Sequence, residues 1–142
     1  MPDMNIADIR VLVVDDNFVV RKLIEANLAK MGFKQVDAAS NSSEAQEKIA
    51  AGPYHIVFLD WNMPGKSGYA LMQEYREDRQ YDGIAFVMVT AESQERYMRE
   101  ALKAGASSYI TKPITPATFE EKVNKVLSWL ASRASGAAKE GA

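Results

Sequence analysis

Polar side chains follow four of the apolar runs in this sequence, each at the point where the run ends. Asp15 and Asp16 follow "VLVV", and Asp60 follows "IVFL". Thr90 ends "FVMVT", and Lys112 follows "SYIT". One acid in such a place is commonly a strand end that reaches water or caps a helix. Several such endings in one short chain indicate that the five side chains serve a common site.

Three carboxylates held close together repel one another, by on the order of 4 kcal/mol for a pair about 4 Å apart. The ammonium group of Lys112 is one compensating charge, and a divalent cation is another. An all-oxygen ligand set suits Mg²⁺, which keeps several of its waters. Zinc is not expected, because the chain has no cysteine and a single histidine.

A carboxylate can also attack a phosphoryl group and form an acyl phosphate. Such a transfer needs positive charge and hydrogen-bond donors at the phosphoryl oxygens, which Mg²⁺, Lys112 and the hydroxyl of Thr90 would supply. Asp60 is therefore the candidate phosphoacceptor. The sequence has no Gly-rich phosphate-binding loop, so the phosphoryl donor is not expected to be a nucleotide bound by this chain.

The elements that must position these residues follow from the hydrophobic pattern. Five apolar runs alternate with helical stripes, which predicts a (βα)₅ chain with a parallel sheet and right-handed crossovers. The runs cover residues 9–14, 35–39, 56–59, 85–89 and 107–111. The second run is the most polar and predicts an edge strand. The first helix is predicted to bury Val20, Leu23, Ile24, Leu28 and Met31, and the fourth Tyr97, Met98, Ala101 and Leu102.

This pattern predicts an α/β doubly wound, flavodoxin-like three-layer sandwich. We take the strand order 2-1-3-4-5, which is a known order of this fold and not a deduction from the sequence. In that order the carboxyl ends of strands one, three, four and five lie side by side. Ligands bind at this edge of open α/β sheets, and neighbouring strands are about 4.8 Å apart. The five polar side chains are therefore expected to converge.

Composition narrows the class of protein. The 142 residues predict one domain, here assigned to residues 1–133, and the small polar residues 134–142 are expected to be a disordered tail. The net charge of −2 gives no electrostatic reason to expect nucleic acid or an anionic membrane as a partner. The N-terminus lacks a signal-peptide core and no apolar run is long enough to span a membrane, so we expect a cytoplasmic protein.

The motifs "VDD", "FLDWNMPG", "VMVTAE" and "SYITKP" resemble the receiver domain of bacterial two-component response regulators. The resemblance covers about residues 8–130 and is strongest to stand-alone chemotaxis regulators of the CheY type. It implies a signalling switch in which Asp60 takes phosphate from a phosphohistidine. It also implies that Asp16, Asp60 and the carbonyl of Asn62 hold Mg²⁺, with Asp15 helping through water.

The resemblance implies further roles. Thr90 and Tyr109 match a pair that rearranges on phosphorylation, and the Lys112–Pro113 bond matches one that is cis in the family. Asn62 and Glu92 follow Asp60 and Thr90 by two residues, so both are expected to overhang the acyl phosphate and tune its lifetime. The sequence departs from the common pattern at "KSG", residues 66–68, and at Ile114, which leaves the acid cluster intact but bears on partner choice.

The implied partners are a sensor histidine kinase of the CheA type or a histidine phosphotransfer protein, and a downstream target such as the flagellar motor switch. The phosphorylated form would bind that target through the face of helix four, strand five and helix five. We expect a monomer with no membrane insertion, and no enzymatic activity beyond its own phosphorylation and dephosphorylation. His55 has no acidic neighbour and is interpreted as a loop residue.

Other functions stay open at this point. The chain could be an intermediate receiver in a phosphorelay or the receiver part of a larger regulator, although no DNA-binding module is expected after the fifth helix. A Mg²⁺-dependent phosphohydrolase would need a second acid two residues after the nucleophile, where this chain has Asn62. A scaffold that binds without phosphorylation would not need the intact set of Asp60, Thr90 and Lys112.

Overall fold

The computed structural model describes the backbone of residues 5–141 and the side chains of residues 5–133. Within that part of the chain, five strands alternate with five α-helices. The strands are β1 (Arg10–Val14), β2 (Gln35–Ala39), β3 (Ile56–Asp60), β4 (Ala85–Thr90) and β5 (Ser108–Thr111). The helices are α1 (Phe18–Met31), α2 (Ser42–Ala51), α3 (Gly68–Arg76), α4 (Glu95–Ala104) and α5 (Pro116–Gly141). Short 3₁₀ helices cover Ile6–Asp8 and Arg79–Tyr81.

The five strands form one parallel sheet in the order β2-β1-β3-β4-β5, which confirms the predicted fold class and the order expected from the known fold. The register pairs Val14 with Leu59, Asp60 with Val89, and Thr90 with Thr111. These pairs lie at the carboxyl ends of their strands. The register therefore places the residues that follow the strands along a single edge of the sheet.

The helices begin and end where local side chains satisfy the backbone. Asn17 caps α1 by accepting a hydrogen bond from the Val20 N–H, and Gly32 ends the helix in the left-handed region at φ 102°. The sequence "SEAQ", residues 43–46, matches a capping box, but the cap of α2 is Asn41, whose side chain accepts from the Glu44 N–H. Asn and Ser are about equally good caps, so the capping-box pattern alone could not decide between them, and α2 starts at Ser42.

The sheet is covered by two hydrophobic layers. One packs β1, β3 and β4 against α1 and α5, and includes Ile24, Phe58 and Phe119. The other packs the opposite face against α2, α3 and α4, and includes Leu59, Leu71 and Phe86. Strands β3 and β4 are buried along their whole length, as expected of central strands in a doubly wound sheet.

Two residues of the predicted helical stripes are not in the core. Leu23 of α1 is 41% exposed and Leu102 of α4 is 44% exposed. In each helix, the predicted set of buried apolar residues is wider than the face that packs against the sheet. In α1, the buried positions are Ile24, Asn27 and Leu28, so the contact face is rotated away from Leu23. Phe18 and Val19, at the start of the same helix, are also exposed.

The backbone of α5 continues as helix to Gly141, where the sequence analysis expected a disordered tail from residue 134. Alanine, which is frequent there, is the strongest helix former. The side chains of residues 134–141 and the whole of residue 142 lie outside the described part. The boundary of the domain at residue 133 therefore stays a prediction. Among the described residues, no helix is long and apolar enough to cross a membrane.

Candidate functional site

Three carboxylates meet at the carboxyl edge of the sheet, as the sequence predicted. One oxygen from each of Asp15, Asp16 and Asp60 lies within 4.8 Å of the other two. Asp15 and Asp60 are buried, whereas Asp16 is exposed. The cluster is thus formed by the turn after β1 and the last residue of β3, which are neighbouring strands. It opens to solvent on the side of Asp16.

Asp15 is held on both of its oxygens. Its Oδ1 accepts a hydrogen bond of 2.9 Å from the Asn17 N–H, which closes a tight turn into α1. Its Oδ2 lies 3.0 Å from Lys112 Nζ. The angle of this second contact does not meet hydrogen-bond geometry, so Oδ2 is paired by charge alone. Asp15 is consequently fixed, but it keeps unused acceptor capacity facing the cluster.

Lys112 brings the single ammonium group of the cluster. Its Nζ lies 3.0 Å from Asp15 and 3.5 Å from an oxygen of Asp60. Its backbone N–H donates to the Thr90 carbonyl at 2.8 Å, which anchors the residue beside β4. The peptide bond from Lys112 to Pro113 is cis. One ammonium group thus contacts two carboxylates, and the charge of the cluster is only partly neutralised.

The pKa of Asp60 shows this imbalance. Burial, followed by the neighbouring Asp15 and, more weakly, Asp16, raises the pKa of Asp60 from 3.8 to about 6, and Lys112 offsets only part of that rise. A carboxylate in this environment is destabilised as an anion. The site would therefore gain from any added positive charge.

The donor set fits a hard divalent cation. The three carboxylates supply oxygen ligands at one opening, and Asp15 Oδ2 lacks a hydrogen-bond donor within the described residues. Few protein oxygens with room for water on the exposed side suit Mg²⁺. Asp15, Asp16 and Asp60 are the side chains that would hold it. Asn62, whose carbonyl the family resemblance adds to this set, is exposed in the loop that follows β3.

Thr90 and Tyr109 are linked through the backbone of Glu92. The Glu92 N–H donates to Thr90 Oγ1 at 3.2 Å, and the Tyr109 hydroxyl donates to the Glu92 carbonyl at 2.6 Å. Thr90 is fully buried and Tyr109 is 4% exposed. The ring of Tyr109 therefore already occupies an interior position. Both hydroxyl groups of the pair are thus bonded to the β4–α4 loop.

The loop after β3 is held close to Asp60 by a backbone contact. Gly68 begins α3, and its N–H donates to the Trp61 carbonyl at 3.0 Å. A Cβ atom at position 68 would overlap the carbonyl oxygen of Asp60. Only glycine fits this approach, because every other residue would push α3 off the end of β3. Trp61 is partly buried in the same loop.

One residue at the site was not identified from the sequence. The Arg21 guanidinium donates to the Asp15 carbonyl at 2.6 Å, and its carbon Cζ lies 5.6 Å from the ring centre of Phe18. Arg21 closes the first turn of α1, a few residues after the two acids, and that position was a usable signal. His55 is not at the site. It precedes β3 at the opposite end of the sheet, where its Nδ1 accepts from the Arg10 N–H at 3.0 Å.

The model of the response regulator receiver domain family matches residues 11–124. The chain therefore belongs to the response regulator receiver domain family. It is 37% identical over 119 residues to chemotaxis protein CheY1 of Helicobacter pylori, covering 83% of this chain and 96% of that protein. It is 33% identical over 123 residues to chemotaxis protein CheY-3 of Vibrio cholerae, covering 87% of this chain and 95% of that protein.

Solved structures agree with this assignment. The chemotaxis response regulator CheY4 of Vibrio cholerae superposes with a TM-score of 0.76 at 27% sequence identity. The match covers 83% of this chain and 98% of that structure. These similarities confirm the predicted family and its likeness to CheY-type regulators, and they support two-component signalling as the setting of the chain.

Proposed function

We propose that this chain is a phosphorylation-dependent switch in which Asp60 accepts a phosphoryl group from a histidine kinase or a histidine phosphotransfer protein. The observation that carries the proposal is the contact of Lys112 with both Asp15 and Asp60 inside the carboxylate cluster. One ammonium group beside three carboxylates leaves the cluster with surplus negative charge. Here the surplus negative charge surrounds a carboxylate that ends a buried strand and faces the open edge of the sheet.

In the proposed transfer, an oxygen of Asp60 attacks phosphorus and forms a P–O bond. The P–N bond to the donor imidazole breaks, and its electron pair returns to the ring nitrogen, which then takes up a proton. Lys112 would pair with a phosphoryl oxygen, and the Thr90 hydroxyl would donate to another. A bound Mg²⁺ would add positive charge where the phosphoryl oxygens crowd the carboxylates. Asp15 is held in place by Asn17 throughout.

Phosphotransfer tests this function directly. The chain is mixed with Mg²⁺ and a phosphorylated histidine kinase, and the label on the chain is followed by intact-protein mass and by acid- and base-lability. We expect one phosphoryl group in the parent and none in Asp60→Asn. Asp78→Asn, which alters an exposed acid that caps a 3₁₀ helix, is the matched control and should be labelled like the parent. Equal labelling of Asp60→Asn would place the phosphoacceptor elsewhere.

We propose that the output surface is the face of α4, β5 and α5. Leu102 is exposed on α4, and the basic side chains Arg99, Lys103 and Lys125 are exposed on the same two helices. Glu121 pairs with Lys125, whereas Arg99 and Lys103 flank Leu102 in sequence. An exposed apolar residue with basic residues beside it suits an acidic partner segment with an apolar anchor. The relatives CheY1 and CheY-3 are named chemotaxis proteins, which supports a flagellar-motor type of target for this chain. A phosphorelay intermediate is the alternative.

The proposed route to this face runs through Glu92. If the Thr90 hydroxyl turns toward a phosphoryl group, its bond to the Glu92 N–H is lost, and the carbonyl of Glu92 moves relative to Tyr109. Tyr109→Phe removes only the hydroxyl that binds that carbonyl. We expect this variant to be phosphorylated at the parent rate while its β4–α4 loop responds less to beryllofluoride, a phosphoryl mimic, in chemical-shift maps. An unchanged map would exclude the Glu92 route.

A further inference from the structure

Three aromatic rings pack together beside Asp60, and they have no role in the function proposed above. Trp61 follows Asp60 directly and lies between Tyr69 of α3 and Tyr97 of α4. Its ring is stacked on Tyr69 with centroids 4.5 Å apart at 7°, and meets Tyr97 edge-on with centroids 5.6 Å apart at 86°. Stacked and edge-to-face pairs at these distances are the favourable geometries of aromatic contacts. We name these three residues the ring cluster.

The ring cluster is one of the contacts that hold α4 against the rest of the fold. Ala101 is the one α4 residue that is fully buried, and Leu102 is exposed. Tyr97, Met98 and Ala104 are partly buried and also pack against the core, and of these Tyr97 contacts Trp61. Glu100, one turn along α4, lies beside Tyr69, and after burial its carboxylate is the main cause that raises the pKa of Tyr69. The side of α4 nearest the acids therefore rests on the residue next to Asp60 and on α3.

This contact is distinct from the route through Glu92. The Glu92 route joins Thr90 to Tyr109 and so leads from β4 to β5. The ring contact joins Trp61, the residue after Asp60, to a side chain of α4. It therefore leads directly to the proposed output surface of α4, β5 and α5. The two meet near the Tyr109 hydroxyl, whose pKa is raised by burial first, then by Glu92 and Tyr97. Tyr97 thus lies close to both.

We infer that Tyr97 is a positioning residue that couples α4 to the phosphoacceptor loop through the ring of Trp61. A shift of the backbone at Asp60 carries Trp61 with it, and the edge-on contact passes that shift to the first turns of α4. The inference rests on the proposed phosphorylation of Asp60. It adds a second path, specific to α4, by which a group bound at the carboxylate cluster changes the output surface.

Chemical-shift mapping on the ¹⁵N-labelled full chain tests this path, with Mg²⁺ and beryllofluoride as the probe. Tyr97→Phe keeps the ring and removes the hydroxyl, whereas Tyr97→Leu keeps apolar volume and removes the ring. We expect beryllofluoride to shift amides of both α4 and β5 in the parent and in Tyr97→Phe. In Tyr97→Leu, the α4 changes should fall by more than half while those of residues 108–111 persist. By reciprocity, beryllofluoride affinity should differ from the parent by about two- to tenfold.

The outcomes separate the inference from the function on which it rests. If Tyr97→Leu keeps the parental α4 pattern and affinity, the ring contact is not a coupling path and the inference is wrong. Loss of the α4 and β5 responses together, with a lowered melting temperature, would show a general structural role and also overturn it. If the parent itself shows no response to beryllofluoride, the proposed function fails first, and that result is visible before any variant is compared.

Discussion

Two charged sites lie at opposite ends of the sheet, and they differ in how their charges are satisfied. At the amino ends of β4 and β5, the Arg76 guanidinium donates to the carbonyls of Gly105, Tyr81 and Ile84 at 2.9, 3.2 and 2.7 Å. Its carbon Cζ also lies 4.8 Å from the ring centre of Phe86. At the carboxyl ends, three carboxylates lie together, and among the described residues two of them, Asp15 and Asp60, contact the ammonium group of Lys112.

The difference shows which of the two charged sites is satisfied within the fold and which is not. Arg76 is a partly buried cation with an acceptor for each of its three nitrogens, so its hydrogen-bonding groups are satisfied without any added group. Asp60 is a buried anion with like charges as its neighbours, and its pKa is raised to about 6. Removing the charge of Arg76 should therefore destabilise the fold, whereas removing the charge of Asp60 should stabilise it.

The largest effect is expected at Arg76. Arg76→Met keeps much of the packing on Phe86 but leaves three carbonyls without their donor, which we expect to lower the free energy of unfolding by about 4 kcal/mol. Urea denaturation measures the change. Arg79→Met, at an exposed arginine of the adjacent 3₁₀ helix, should stay within about 0.5 kcal/mol of the parent. If Arg76→Met lowered the free energy of unfolding by less than about 1 kcal/mol, the two ends of the sheet would not differ as proposed.

The second effect is expected at Asp60, where removal of the charge should stabilise the fold by an amount that depends on pH. Because the folded-state pKa of Asp60 is raised, the folded protein binds a proton more tightly than the unfolded chain does between about pH 4 and 6. Without metal, stability should fall as pH rises through that window, by about 3 kcal/mol at most. Asp60→Asn should remove this dependence and be more stable than the parent at pH 8.

The groups that face Asp60 in this titration are Asp15, Asp16 and Lys112. Asp8→Asn is the matched control, since Asp8 is exposed in the first 3₁₀ helix, away from the cluster. Denaturation curves of the two variants and the parent at pH 4.5, 6 and 8 give the comparison. A parent whose stability rises from pH 4.5 to 8 more than that of Asp60→Asn would contradict the assigned cause.

Mg²⁺ should act on the carboxyl end alone. At about ten times its dissociation constant it should stabilise the fold by roughly 1.4 kcal/mol, which is a few degrees in melting temperature. Trp61 emission should change with the same midpoint. Asp16→Ala should lose both responses, whereas Arg76→Met should keep the increment despite its lower stability. Indifference of the parent to Mg²⁺ in both measurements would count against the cation site.

The smallest effect concerns the lifetime of the phosphate. An amide at position 62 can orient an attacking water, as water-positioning residues do in other phosphoryl transfers. We expect a short-lived phosphate whose decay slows by a few fold in Asn62→Leu, under about 1 kcal/mol in barrier height. Asn124→Leu, at an exposed position of α5, should decay at the parent rate. Equal decay in all three proteins would remove this role for Asn62.

Much of the fold could be predicted because the strand signals were strong. The central runs "VLVV" and "IVFL" are buried in β1 and β3, and the polar second run is the edge strand β2. The register of a parallel sheet then brings Asp15, Asp60 and Lys112 together, since each follows or ends a strand. A prediction of the acid cluster needed only strand ends and a strand order.

Features that depend on side-chain direction could not be predicted from the pattern. Leu23 fits the stripe of α1 and yet is exposed, because helix rotation is set by packing on the sheet and not by periodicity alone. Arg76 reads as the polar end of a helix, but the turn before β4 and the end of α4 surround it with carbonyls. The stacking of Trp61 on Tyr69 joins residues eight positions apart across a loop, for which the sequence carries no periodic signal.

The two outer strands of the sheet bear on how copies of the chain can associate. β2 carries Asp37, which accepts a hydrogen bond of 2.7 Å from the Tyr54 hydroxyl and lies 3.8 Å from Arg10. β5, at the other edge, is four residues long. A charged residue on one edge and a short strand on the other both discourage the addition of a further strand. Association through continuous β-sheet, the usual start of amyloid-like aggregation, is therefore disfavoured, and contacts between copies are expected to use the helices.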